Sequence, residues 1–361
     1  MNQPRTARSL DDLVAAGVLA PEAAAGLARV ADRYAIAVTP YLLERIRDGG
    51  EPFARQYLPD PGETDAAPEE RPDPIGDGAH MPVKGIVHRY PDRVLLKLHH
   101  ACPVYCRFCF RREMVGPGGD ALSKDELAAA LDYVRAREEV WEVILTGGDP
   151  LALSARRLAE VVGVLDAIGH VGVIRLHSRV PLADPGRIDA DLVSALRASD
   201  TAVWVAVHCN HPAELTAEAA AALARLADAG IPLLGQTVLL RGVNDDPAVL
   251  EALFRGLVRN RVKPYYLHHP DLAPGTARFR LDLEEGQALM RAIRGRLSGV
   301  CQPTYVLDIP GGHGKAPIGP VWLHGGSAQG DGIEVEDWRG RRHAYPPEAT
   351  RVAIDRKDGL E

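Results

Sequence analysis

Three cysteines, Cys102, Cys106 and Cys109, stand within eight residues of the segment ACPVYCRFCFRR. Thiolates at such spacing hold iron–sulfur clusters or zinc. Three thiolates on a four-iron cluster leave one iron without a protein ligand, which suits a metal centre that activates a substrate. A structural zinc site wants four ligands. His99 or His100 offers a fourth, so spacing alone leaves zinc open, as it leaves three buried unliganded thiols. A second reactive group, Lys315, closes the glycine-rich run DIPGGHGKAP. This run is no phosphate-binding P-loop, because GxxxxGK[ST] needs Gly where Ile309 stands and Ser or Thr where Ala316 stands. Glycines let backbone approach a flat cofactor, and a lysine amine forms a Schiff base with pyridoxal phosphate (PLP). A solvated loop lysine is the other reading.

These residues need a frame. Apolar runs predict strands over Arg93–His99, Val143–Thr146, Val171–Leu176, Ala202–His208, Pro232–Leu240 and Pro264–His268. Amphipathic periods between and after them predict helices over Leu122–Arg137, Ser154–Ile168, Asp189–Ala198, Thr216–Ala229, Pro247–Val258 and Leu283–Leu297. Such alternation means an α/β fold with a parallel sheet. Six units in a row predict a partial (βα)6 TIM-like barrel, residues 84–300, rather than an open doubly wound sheet. Residues 1–83 predict an N-terminal helical extension, apolar at helical spacing over Leu10–Val38 and again over Tyr41–Asp48. A Pro-rich acidic stretch, residues 60–77, follows as a linker or a surface wrap. Residues 301–361 hold the lysine segment and a small β annex.

In parallel α/β folds chemistry gathers at the C-terminal ends of the strands. The cysteines follow the first predicted strand. Thr146, Gly147, Gly148 and Asp149 follow the second, and His177 to Arg179 the third. His208 to His211 end the fourth, Gln236 lies on the fifth, and His268 to Asp271 end the sixth. Their shared position argues for one composite site.

Composition narrows the class. The 361 residues carry a formal charge of −7, against a general binder of nucleic acid or anionic membrane. No stretch is long and apolar enough to cross a membrane, and the first residues do not read as a secretion signal. Five cysteines, three of them crowded, make a poor disulfide framework, so a cytoplasmic location is expected.

C-x3-C-x2-C directly after the first strand of a (βα)n chain resembles the radical SAM superfamily. DIPGGHGKAP, HRYPDRVLLKLHHACPVYCRFCFRRE, HCNHPAEL, GQTVLLRGVND and KPYYLHHPDLAPGTARFR are similar to segments of its lysine 2,3-aminomutase family, from about residue 84 to about 323. The resemblance implies a [4Fe–4S] cluster on Cys102, Cys106 and Cys109 and S-adenosylmethionine (SAM) on the open iron. The cluster's electron splits SAM into methionine and a 5′-deoxyadenosyl radical. It further implies an isomerase that moves the α-amino group of L-lysine to the β-carbon, giving β-lysine.

By the same resemblance Lys315 is the PLP lysine, and Arg89 and Arg93 lie near the PLP phosphate. Gly147, Gly148, Asp149, His208 and Gln236 face SAM. Arg111 grips the substrate carboxylate, its guanidinium matching a carboxylate in bidentate fashion. Asp271 and Asp308 hold the side-chain ammonium. Two carboxylates would repel the side chain of glutamate, whereas arginine would also want acids here. A role in making β-lysine for elongation factor P modification ranks second, since those relatives tend to lack an aspartate at the place of Asp308. A non-catalytic zinc-binding or electron-transfer protein is the rival outside this chemistry. An external electron donor such as flavodoxin or ferredoxin and a homo-oligomer are further expectations. Some family members add a zinc site using a cysteine where Asp246 stands here and a cysteine cluster in the tail. RVAIDRKDGLE has no cysteine, so structural zinc is not expected.

Overall fold

The computed structural model describes residues 5–65, 67–325 and 332–346; the tail segment at 351–361 lies outside them. Nine strands form one sheet in chain order: β1 (Ile86–Tyr90), β2 (Arg93–His99), β3 (Glu142–Gly147), β4 (Val173–Ser178), β5 (Ala202–His208), β6 (Leu233–Val238), β7 (Val262–His268), β8 (Thr304–Ile309) and β9 (Gly314–Pro317). From β2 to β8 every pairing is parallel. β1 and β9 are antiparallel edges on β2 and β8. Helices Lys124–Arg135, Ala155–Asp166, Ala190–Arg197, Ala217–Asp228, Pro247–Arg259 and Leu283–Ile293 follow β2 to β7 in turn. The chain therefore builds the α/β barrel-like sheet that its periodicity predicts.

The strands curve because alternate residues face two different environments. Val94, Leu96 and Leu98 of β2 join the apolar core under the helices, as do Val143 and Leu145 of β3. The residues between them point inward: Arg93 and Leu95 on β2, Glu142, Ile144 and Thr146 on β3, Arg175 and His177 on β4. Helix starts are fixed by side-chain caps. Ser123, Ser154, Asp189, Thr216 and Asp246 each accept backbone N–H groups of the first turn.

Two segments differ from the sequence expectation, and a third takes the surface-wrap alternative over the free linker. Thr304–Ile309 is not a detached strand of the annex; it pairs with β7 and carries the parallel sheet one strand further. Leu10–Val38 is broken into helices Leu10–Ala15, Pro21–Ala25 and Ala28–Arg33, because Gly17 adopts φ 70° and Pro21 starts a new helix. The acidic stretch 60–77 is a strap laid on the barrel mouth, and it buries Glu63, Glu70 and Asp77. A separate antiparallel sheet of β10 (Leu323–Gly325), β11 (Ile333–Glu336) and β12 (Arg342–Tyr345) forms the annex.

Candidate functional site

A cavity of about 670 Å³ runs through the barrel from the cysteine loop to the strand starts. Cys102, Cys106 and Cys109 line its mouth, on the loop between β2 and the helix Lys124–Arg135. All three thiols are free and partly buried. Among the described residues no three His, Cys, Asp or Glu side chains converge as a single-ion site requires. A polynuclear cluster takes one thiolate per iron and does not need that convergence. Burial pushes all three thiols above the ordinary range, Cys106 to about 12. Thiolates here want a cationic centre beside them, and a cluster's iron supplies one.

The loop is held by the end of β3. Gly148 N–H donates to the His99 carbonyl at 2.6 Å and Asp149 N–H to that of Ala101 at 3.0 Å. A Cβ on Gly148 would lie 2.2 Å from the Ala101 carbonyl oxygen, and Gly147 adopts φ 101°, so both positions need glycine. Asp149 lines the same wall, but its carboxylate is taken up by protein donors. It accepts from Ser178 Oγ at 2.8 Å and from the backbone N–H groups of Leu151, Arg179 and Val180. This aspartate ties the ends of β3 and β4 together. His208 and Gln236 lie side by side across β5 and β6 and line the cavity. The His208 ring meets Phe108 of the cysteine loop at 5.5 Å. Burial, reinforced by Arg179 and His268, keeps His208 well below its usual pKa and therefore neutral.

Opposite stands Lys315, on a strand rather than in a loop. Its backbone N–H donates to the Tyr90 hydroxyl at 2.7 Å. A Cβ at Gly314 would come within 2.7 Å of that hydroxyl. Lys315 Nζ reaches both carboxylate oxygens of Asp308, at 2.6 and 2.7 Å. Burial alone would raise Asp308, but His268 and the Lys315 ammonium outweigh it and hold the carboxyl low. Asp271 behaves oppositely. Burial and the charge of Asp308 push it up to about 7, against Lys315 and Arg111. Its Oδ1 is buried with no hydrogen-bond partner. A carboxylate in that position is short of a cation.

Arg111 and Arg89 both line the cavity. Arg111 Nη2 donates to Asp77 Oδ2 at 3.0 Å and Nη1 lies 3.4 Å from Thr146 Oγ1. Arg89 Nη2 donates to Asp77 Oδ1 at 3.2 Å and to the Ile75 carbonyl at 2.7 Å. Arg93 lines the lower cavity, stacked 3.8 Å over the Tyr90 ring and paired with Asp92. Every residue to which the resemblance gives a role thus borders one cavity, whereas His99 and His100 do not. Three contributors went unremarked: Asp77 in the strap, Tyr90, and Lys97, a buried lysine of β2 whose Nζ is 3.6 Å from Asp77. Lys97 belongs to β2, where Val94, Leu96 and Leu98 join the core and the residues between them face the other way, which is the signal that could have found it.

Residues 96–253 match the family model of the radical SAM superfamily. The L-lysine 2,3-aminomutase of Acetoanaerobium sticklandii is 42% identical over 307 residues, 84% of this chain and 74% of that protein. The L-lysine 2,3-aminomutase of Clostridium subterminale is 40% identical over the same shares. The glutamate 2,3-aminomutase of Clostridioides difficile is 35% identical over 86% of this chain and 74% of that protein.

Proposed function

Since the chain belongs to the lysine 2,3-aminomutase family of the radical SAM superfamily, we propose that it moves the α-amino group of L-lysine to the β-carbon. The observation that carries the choice of lysine is the pair Asp271 and Asp308 in one wall of the cavity. Asp271 is short of a cation, and Asp308 already holds an ammonium, that of Lys315. A side-chain ammonium satisfies this pair, whereas the carboxylate of glutamate would be repelled by it.

The residues present fit the groups the reaction needs. Cys102, Cys106 and Cys109 would hold the [4Fe–4S] cluster, with Gly147, Gly148, His208 and Gln236 beside the place for SAM. Lys315 would carry PLP, with Arg89 and Arg93 toward its phosphate. When bound, these groups supply an electron, a hydrogen-abstracting radical and a π-system that spreads spin. The protein's work is placement. Arg111 takes the substrate carboxylate, its Nε being buried and unpartnered. Asp271 and Asp308 take the far ammonium, so the amino acid is fixed at both ends. Leu95, Ile144, Val173, Trp204, Leu234 and Val238 give the cavity apolar walls that keep water from a radical centre. The Lys315 ammonium occupies a seat on Asp308 that the substrate's own ammonium would take, so carrying PLP and freeing Asp308 are linked.

The test is product analysis. Protein reconstituted with iron, sulfide and PLP, reduced and free of oxygen, is given SAM with lysine, arginine or glutamate. β-Lysine formed from lysine alone is the expected result. A β-amino acid formed from arginine or glutamate instead overturns the choice of substrate, and a colourless protein holding zinc without iron overturns the radical chemistry.

A further inference from the structure

One carboxylate lies between the two grips just described. Asp77 gives one oxygen to Arg89 and the other to Arg111, at 3.2 and 3.0 Å, with Lys97 Nζ 3.6 Å from the second oxygen. Its side chain is 3% exposed, and each arginine side chain is 9% exposed. Each arginine keeps a buried Nε with no hydrogen-bond partner, and each borders the cavity. Three basic side chains thus meet a single acid, and the two arginines among them also border the cavity.

The position of Asp77 is itself fixed. Asp73 accepts the backbone N–H groups of Asp77 and Gly78, both at 2.8 Å. Gly76, at φ 68°, lies so close to Gly311 and Gly312 that a Cβ would sit 2.4 Å from the Gly312 nitrogen. His80 Nε2 is 2.9 Å from the Gly312 carbonyl oxygen. The strap is therefore seated on the glycine run that leads into Lys315.

The geometry points to Asp77 as a positioning residue, a buried carboxylate that fixes the spacing between the arginine for the cofactor phosphate and the arginine for the substrate carboxylate. This rests on the roles given above to Arg89 and Arg111. It makes cofactor and substrate binding depend on one side chain that touches neither.

Asp77→Asn in the reconstituted holoenzyme tests it. Losing the charged partner of each arginine weakens PLP, titrated by absorbance, and raises KM for lysine, each by about tenfold, while kcat changes by less than about threefold. Asp77→Glu recovers part of both losses. Cluster absorbance and iron content stay at the level of the unaltered protein, which separates positioning from general unfolding. Asp77→Asn with unchanged PLP and lysine constants overturns the assignment, as does a loss confined to kcat. If Asp77→Asn does not accumulate folded, the double variant Asp77→Asn/Lys97→Met removes one of the excess cations and is read by the same criteria. The PLP titration requires no turnover, so it stands even if lysine proves not to be the substrate.

Discussion

Two of the ion clusters made by the strap are built alike but placed differently. At Glu63 a wholly buried carboxylate faces Arg107, Arg112 and Arg278, and none of these four side chains borders the cavity. At Asp77 a buried carboxylate faces Arg89, Lys97 and Arg111, and both arginines border the cavity. The first cluster pins the cysteine loop, which carries Arg107 and Arg112, to the strap and to the segment after β7. The second puts its arginines in the cavity wall. Charge pairing alone does not separate a structural cluster from a binding one; the cavity on one side of it does.

The largest effect is expected where pairing is structural. Glu63→Gln leaves the Arg107 and Arg112 guanidinium groups buried without their carboxylate. Breaking a buried pair from one side costs about 3–5 kcal/mol. Denaturant melting should show that loss, and iron uptake should fall with it; a variant as stable as the parent would refute the closed-cluster reading. A narrower loss is expected at the open side. Lys315→Ala should abolish PLP absorbance while the brown cluster and the melting temperature persist, because Lys315 is an edge-strand residue facing the cavity. PLP absorbance surviving in that variant would remove Lys315 from its role.

A third effect, confined to a pH range, concerns Asp271. Its carboxyl is raised to about 7 in the fold, against about 3.9 in an unfolded chain. At pH 3 both states are protonated and the residue costs nothing. As pH rises from about 4 to about 7 the unfolded chain loses the proton first, so stability falls; above that it levels off. The charged groups governing the shift are Asp308, Lys315, Arg111 and Asp77. Asp271→Asn should therefore be more stable than the parent at pH 8, by up to about 4 kcal/mol, with the gap closing near pH 4. Parallel melting curves for the two proteins between pH 4 and 8, without cofactors, would contradict this.

Much of this was legible in the sequence. Six strand–helix units declared themselves by period, and the rim rule named Cys102, Thr146, His208, Gln236 and Asp271, which all line the cavity. What escaped were short or aperiodic pieces. β1 and β9 have five and four residues, too few for alternation to declare itself. The strap has no apolar rhythm, so Glu63 and Asp77 read as solvated acids. Their burial depends on partners such as Arg107 and Arg111, 44 and 34 residues further along, pairings no local window contains. Asp149 was legible as a rim residue, but its four protein donors come from β3 and β4 together and could be counted only in three dimensions.

The contact between Tyr90 and the Lys315 backbone joins the first strand of the sheet to the last. Its consequence lies in the order of synthesis. Lys315 leaves the ribosome 213 residues after Cys102, and its strand pairs with β8, itself the last parallel strand laid down. All three thiols are therefore synthesised on a chain that does not yet possess the amine. The cysteine loop and Lys315 come to face one cavity only once β8 and β9 have joined the sheet, so a chain that stopped before β9 would carry the thiols without the amine.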